Sequence, residues 1–395
     1  MLFQTLDIRN RCEGYYADGH LHYEQPNFLL TRTWDYSPEL RNKKIDYARI
    51  YAHGKTLTEV CPTRYVSLWQ EVKEKLRCYY RAFNTACLDL NQICLYQLLP
   101  EYFLFQFFDL KNEITQHTFE NFERPLNHDF MVDVLELVGD IRQRPLNITI
   151  KPLLPKVGSV AGRNFVKKLQ QVEWACGYNP WGTITGRLAG VTGTFPILTL
   201  NKEYRGCLRP QHDWFVELDY NAAEVRTLLA LSDQEQPDQD IHQWNIEHIY
   251  GDDITRDAAK KKIFGWLYSQ RTNKKAEKFY DKNRVVEKYW DGENILTAFN
   301  REIKGVDKKH ALNYIVQSTT SDLVLTKAIA INKRLRHQKS HVAFMLHDSI
   351  IIDLKNEERH VIPELMQMFE KTRFGKYKVN VSAGKHFGDL RELNL

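Results

Sequence analysis

The amino-acid sequence predicts an α+β fold, and three observations carry that prediction. Residues 214–218 form an apolar, strand-like run that passes almost directly into a helix-like segment at 222–232. Residues 342–354 hold two apolar runs of strand length around His347-Asp348-Ser349, which reads as a hairpin. Residues 67–143 carry long apolar-charged repeats such as WQEVKEKLRCYYRAF, the pattern of helices, with Pro125 and Pro145 as punctuation.

Size and composition allow such a fold. The chain has 395 residues, 43% of them hydrophobic, enough for a substantial core and against global disorder. The net charge of +5 is compatible with a nucleic-acid partner without requiring one, because clustering matters more than the sum. No apolar run approaches the roughly 18 residues of a spanning helix. The opening stretch MLFQTLDIRNRCEG lacks the apolar core of a signal peptide. The seven cysteines are odd in number and include no CxxC pair. The expectation is therefore reduced thiols in a cytoplasmic setting, with neither a disulfide nor a zinc site. Residues 1–60 mix aromatics, charges and turn residues. Their segment at 47–51 suggests a strand, and no role follows from them.

Chemistry enters with two carboxylates. Asp219 ends the first apolar strand in FVELDYNAAEVRTLLALS, and Asp348 lies at the tip of the hairpin in MLHDSIIID. Taken singly, an acid at either place is what a helix cap or a turn calls for. Two carboxylates at adjacent strand ends of one sheet can also bridge a pair of Mg²⁺ ions, which prefer hard oxygen ligands. Such ions, about 3.5–4 Å apart, serve in-line phosphoryl transfer.

Between the two acids lies TRDAAKKKIFGWLYS, inside a lysine-rich section at 256–288 interleaved with aromatics. Arg256, Lys260, Phe264 and Tyr268 recur every four residues and would form one stripe on a helix. The stripe offers two cations for a polyphosphate, an aromatic face for a sugar and base, and a phenol. Lys261 and Lys262 read as part of a solvated face.

In this order the segments resemble family A DNA polymerases. Asp219-Tyr220-Asn221-Ala222-Ala223-Glu224-Val225-Arg226 is similar to motif A, DYSQIELR. Arg256 to Tyr268 is similar to motif B, RxxxKxxxFGxxY, and His347-Asp348 to motif C, HDE, with Ser349 in place of the final acid. Thr185-Gly186-Arg187-Leu188, Asp240-Ile241-His242, Arg301, and Asn313 with Gln317 resemble four lesser elements in their proper order. The resemblance covers roughly residues 150–395.

The resemblance implies a right-hand polymerase. An antiparallel palm sheet would be drawn from 151–220 and 306–395, helical fingers from 221–305 and a helical thumb from 61–150, with 1–60 of unknown role. It implies that Asp219 and Asp348 hold two Mg²⁺ ions, for which Mn²⁺ can substitute. It implies that Arg256 and Lys260, assisted by His242, bind the incoming dNTP triphosphate. Phe264 would stack on the deoxyribose, Tyr268 would pack beside it, and Glu224 would exclude a 2′-OH. Arg187, Asn313, Gln317, His347 and Arg301 would touch primer-template DNA.

No D-x-E pair precedes residue 150, where relatives with a proofreading nuclease carry one. The expectation is a polymerase module alone, with proofreading either absent or carried on a separate polypeptide, a separate exonuclease or processivity subunit as a candidate partner, and no membrane partner. The compact form and diverged motifs imply a phage or mobile-element origin. A single-subunit RNA polymerase and an inactive primer-template-binding subunit remain open as alternatives. Glu224 argues against the first, and retention of Asp219, Asp348, Arg256 and Lys260 against the second.

Overall fold

The computed structural model describes residues 1–7, 12, 14–88, 90, 93–269 and 272–393. They form two compact units, Met1–Asp140 and Ile141–Leu395. Among the described residues no helix is long and apolar enough to cross a membrane.

Among its described residues the first unit pairs a small antiparallel sheet with three long helices. The strands β1 (Phe3–Thr5), β2 (Tyr15–Ala17) and β3 (His20–His22) lie in that order, and β2 and β3 are joined by Asp18-Gly19, both at positive φ. That two-residue Asp-Gly connection suits the right-handed twist of a hairpin. The helices are α1 (Val66–Thr85), α2 (Glu101–Asn121) and α3 (His128–Arg142), within the stretch expected to be helical. Helix α1 buries only Trp69, Val72 and Phe83, one narrow face, against Phe103, Leu104 and Phe108 of α2. Its other faces carry the charges that punctuate the repeat.

Two expectations are corrected in this unit. Residues Ala48–Tyr51 form a short helix rather than a strand; only Asp46–Tyr47 are extended, pairing in parallel with Arg32–Thr33. Aromatic and β-branched content favoured a strand, but Ala48 and Ile50 are both buried within a single helical turn, so packing overrides propensity. Cys12 and Cys94, 82 residues apart, form a disulfide with their Cα atoms 6.0 Å apart. An odd count without CxxC argues against a framework of bridges. It does not prevent one pair that the fold brings together, and Cys94 is buried where it begins the helix Leu95–Leu98. Cys61, Cys78, Cys87, Cys176 and Cys207 are free thiols.

The second unit is built on a five-stranded antiparallel sheet. Its strands are β4 (Trp214–Tyr220), β5 (His341–Leu346), β6 (Ser349–Leu354), β7 (Val379–Gly384) and β8 (Arg391–Glu392), ordered β5-β6-β4-β7-β8. The central strand β4 alternates by face as a period of two requires. Val216, Leu218 and Tyr220 point one way, and Tyr220 stacks on Phe369 at 3.9 Å between ring centroids. Phe215, Glu217 and Asp219 point the other way. Phe215 packs edge-on against Phe344, and the two carboxylates occupy the rest of that face.

A helical lobe is inserted between β4 and β5. It contains α4 (Ala223–Leu231), the short α5 (Ile241–Asn245), α6 (Arg256–Leu267) and α7 (Lys282–Tyr289), and it leads into α8 (Lys308–Arg334). Val225, Leu228, Leu229, Ile263, Trp266, Val285 and Ile315 form one buried cluster that fixes α6 against α4 and α8. Side-chain caps start these helices where the sequence places them: Asp240 caps α5, Thr255 caps α6, Asp281 caps α7 and Asp307 caps α8.

Candidate active site

The sheet register brings the two sequence-predicted aspartates together. Asp219 lies one residue from the end of β4, facing Ser349 on β6 and Asn380 on β7. Asp348 immediately precedes Ser349, in the two-residue turn after β5 whose other member, His347, has φ 55° and is exposed. The strand neighbour of Asp219 is thus the residue next to Asp348.

The electrostatics follow from that proximity. Burial, then the charges of Asp348 and Glu217, push the Asp219 carboxyl up to about 7, against opposing pulls from Asn380 and Lys260. Burial likewise raises Asp348, opposed by its own backbone amide and by the charges of His347, Arg187 and Lys260. The Lys260 charge therefore acts on both acids. Two half-buried carboxylates that repel each other suit a hard cation. Among the described residues no group of three or more His, Cys, Asp and Glu side chains is placed to hold a metal ion.

A cleft of about 420 Å³ opens beside them, lined by Glu217, Asp219 and Asn221 from the β4 segment, Lys378, Asn380 and Ser382 from the β7 segment, and Asp240, Arg256 and Glu392. Sequence reasoning missed most of this wall. Glu217 shares the face of Asp219, and burial chiefly raises its pKa, with Asp348 adding to the effect. The alternation Lys378-Val379-Asn380-Val381-Ser382 was the available signal for β7, since it is the pattern of a strand with one polar face.

The stripe on α6 is divided by its surroundings. Arg256, in the first turn, donates to Asp240 Oδ2 at 2.6 Å. Lys260 is exposed, and Phe264 is half-buried with its ring 6.1 Å from that of His242. His242 is only 1% exposed; its Nδ1 has no hydrogen-bond partner among the described residues, and burial holds its pKa down to about 4. It is a neutral imidazole under the stripe. Tyr268 follows the last residue of α6, and its hydroxyl donates to Glu224.

Glu224 also accepts from Arg187, so Arg187, Glu224 and Tyr268 form one chain, and Gln317 lies on α8 near the Tyr268 hydroxyl. The turn that carries Arg187 is held from below. Gly186 has φ 73°, its carbonyl accepts from Ser321 at 3.0 Å, and a side chain at Gly186 would collide with the Arg301 guanidinium. Arg301 is buried and bonded to the fully buried Asp322 at 2.7 and 2.9 Å. Asn313 lies on α8 with its Oδ1 buried and unpartnered among the described residues.

No family model matches the chain. It is 23% identical over 239 residues to a DNA polymerase I from Caldicellulosiruptor bescii, a match covering 47% of this chain and 28% of that protein. The relationship is distant, and the match spans little more than a quarter of the relative's length. Among solved structures, the POL domain of Pol1 from M. smegmatis, in complex with DNA primer-template and dNTP, aligns over 82% of this chain and 66% of that one. The TM-score is 0.46 and the identity 14%.

Proposed function

We propose that this chain is a template-directed DNA polymerase, adding dNTPs to a primer 3′-OH by two-metal phosphoryl transfer with release of pyrophosphate. The observation that carries the reading is the meeting of Asp219, near the end of β4, with Asp348, in the turn before the neighbouring β6, both within reach of the Lys260 charge, while Arg256 lines the cleft beside Asp219. The distant similarity to a DNA polymerase I supports it. In this reading the sheet is the palm, the inserted helical lobe is the fingers, and the helices of the first unit are the thumb. The setting is replication of a phage or mobile element.

Asp219 and Asp348 would hold two Mg²⁺ ions, or Mn²⁺ in their place. Bound there, the ions supply activation of the primer hydroxyl and charge stabilisation of the leaving pyrophosphate. Lys260 and Arg256 bind and orient the triphosphate. Phe264 offers its ring to the deoxyribose, and Tyr268 and Glu224 together close the space a 2′-OH would need. Arg187, Gln317, Asn313 and His347 face primer-template DNA. Arg301 serves by supporting the turn of Arg187, because its guanidinium is committed to Asp322. His242, buried and neutral, steadies Phe264 from below.

Primer extension on a defined template with Mg²⁺, offering dNTPs, rNTPs or neither, tests the reading. Extension with dNTPs is expected, with rNTPs used poorly. Asp219→Asn and Asp348→Asn should each lower the rate by about 10³-fold or more, while primer-template binding, dominated by phosphate contacts, persists. Near-normal extension by either variant would refute it.

A further inference from the structure

Arg256 reaches the cleft from the first turn of its helix, and a long exposed guanidinium at such a place has many rotamers to lose on binding. It is not left free. Asp240 Oδ2 accepts from Arg256 Nη2 at 2.6 Å and from Asn221 Nδ2 at 2.7 Å. Its other oxygen, Oδ1, accepts from the backbone amides of His242 and Gln243 at 2.9 and 3.0 Å. Burial alone would raise this carboxyl, yet its bonds to Arg256 and Asn221 hold it well below the usual carboxylate range.

Asn221 is fixed in turn. The fully buried Arg226 donates to the carbonyl of Asn221 at 2.9 Å, and to the carbonyls of Pro237 and Gln239 at 2.9 and 2.7 Å. The loop leading to Asp240 is therefore clamped to the chain just after β4. Asn221 stands two residues beyond Asp219, so a continuous run of hydrogen bonds joins the strand of the catalytic acid to Arg256.

We propose that Asp240, braced by Asn221, is a positioning residue that fixes the Arg256 guanidinium at a set distance from Asp219 for the nucleotide's phosphates. The proposal rests on the polymerase reading. Asp240 engages one nitrogen of the guanidinium and leaves the remaining donors for phosphate oxygens. The two carboxylate oxygens divide the labour: Oδ1 caps α5, and Oδ2 holds Arg256. A substitution that keeps the cap and loses the grip separates positioning from mere stability.

Asp240→Asn and Asp240→Ser both retain a capping oxygen. Pre-steady-state extension with the full chain would give the dNTP Kd and the maximal rate for each, alone and combined with Arg256→Ala. Both Asp240 variants should raise the dNTP Kd by about 10–100-fold, with a smaller effect on the maximal rate. Primer-template affinity should stay near the wild type, and any loss of Tm from the unpaired Asn221 amide should be the same with and without Arg256. In the Arg256→Ala background the same substitutions should add almost nothing, since they act through the missing guanidinium. An unchanged Kd, or a full additional loss without Arg256, would overturn the positioning role while leaving the polymerase reading intact. A wild-type chain that fails to extend any primer would overturn both.

Discussion

The hydroxyl of Tyr268 donates to the carboxylate of Glu224, which also accepts from Arg187, so the acid is held from two sides. In the proposed polymerase reading, a carboxylate held in this way cannot swing aside for a larger sugar. Glu224→Ala should raise the ratio of ribo- to deoxyribonucleotide incorporation by about tenfold or more. Tyr268→Phe, which removes one of the two restraints, should raise it by less. Competition between a dNTP and its rNTP on one template measures both, and an unchanged ratio in Glu224→Ala would place the selection elsewhere.

Phe264 stands one turn beyond Lys260 and offers no hydrogen bond of its own. A nucleotide whose phosphates Lys260 holds must then rely on its own 3′-OH for polar contact near the pyrophosphate. A dideoxynucleotide would leave that contact unmade in a desolvated site, at a cost of about 1–3 kcal/mol. The chain should therefore resist dideoxy termination by about tenfold or more, and Phe264→Tyr should make it sensitive with little change in dNTP use. Termination ladders with mixed nucleotides decide the point.

Arg301 was expected to touch DNA, and its burial against Asp322 leads to a different outcome. Arg301→Ala would strand a fully buried carboxylate, which should lower stability by about 3–5 kcal/mol in urea unfolding. A variant of normal stability with weakened DNA binding would restore the direct-contact role.

His341 gives a pH dependence whose sign is fixed. Burial, reinforced by Arg144 and His212 against the pull of Asp353, holds its pKa down to about 4 from a usual 6.5. Between those values the unfolded chain binds the proton and the folded chain does not. The contribution of His341 to stability is thus complete above about pH 6.5 and falls as the pH drops toward 4, by up to roughly 3 kcal/mol. His341→Gln should flatten that part of the curve in urea titrations at a series of pH values. A variant with the wild-type slope would assign it to other groups.

What could be read from the sequence was local. Asp219 and Asp348 end apolar runs, and Arg256, Lys260, Phe264 and Tyr268 repeat at helical spacing, so short windows were enough to find them. Their partners were not local. Asn380 faces Asp219 only because β7 returns, 161 residues later in the chain, to pair with β4. Glu217 was passed over because one acid in an apolar run is ambiguous until the sheet shows which face it shares. Arg301 resembled a free cation, since nothing near it in the chain announces Asp322 as its buried partner. The Cys12–Cys94 bridge and the helical turn Ala48–Tyr51 escaped for the same reason, being set by tertiary packing.

The two aspartates are tethered unequally. Asp219 sits in a strand bonded on both edges, at the middle of five, whereas Asp348 sits in a hairpin turn beside it. Native-state hydrogen exchange should find the amides of β4 among the slowest in the second unit and that of Asp348 much faster. One arm of the pair is an anvil and the other a spring. An ion of different radius would be accommodated by movement of the turn, leaving the strand, and the braced arginine beyond it, where they are.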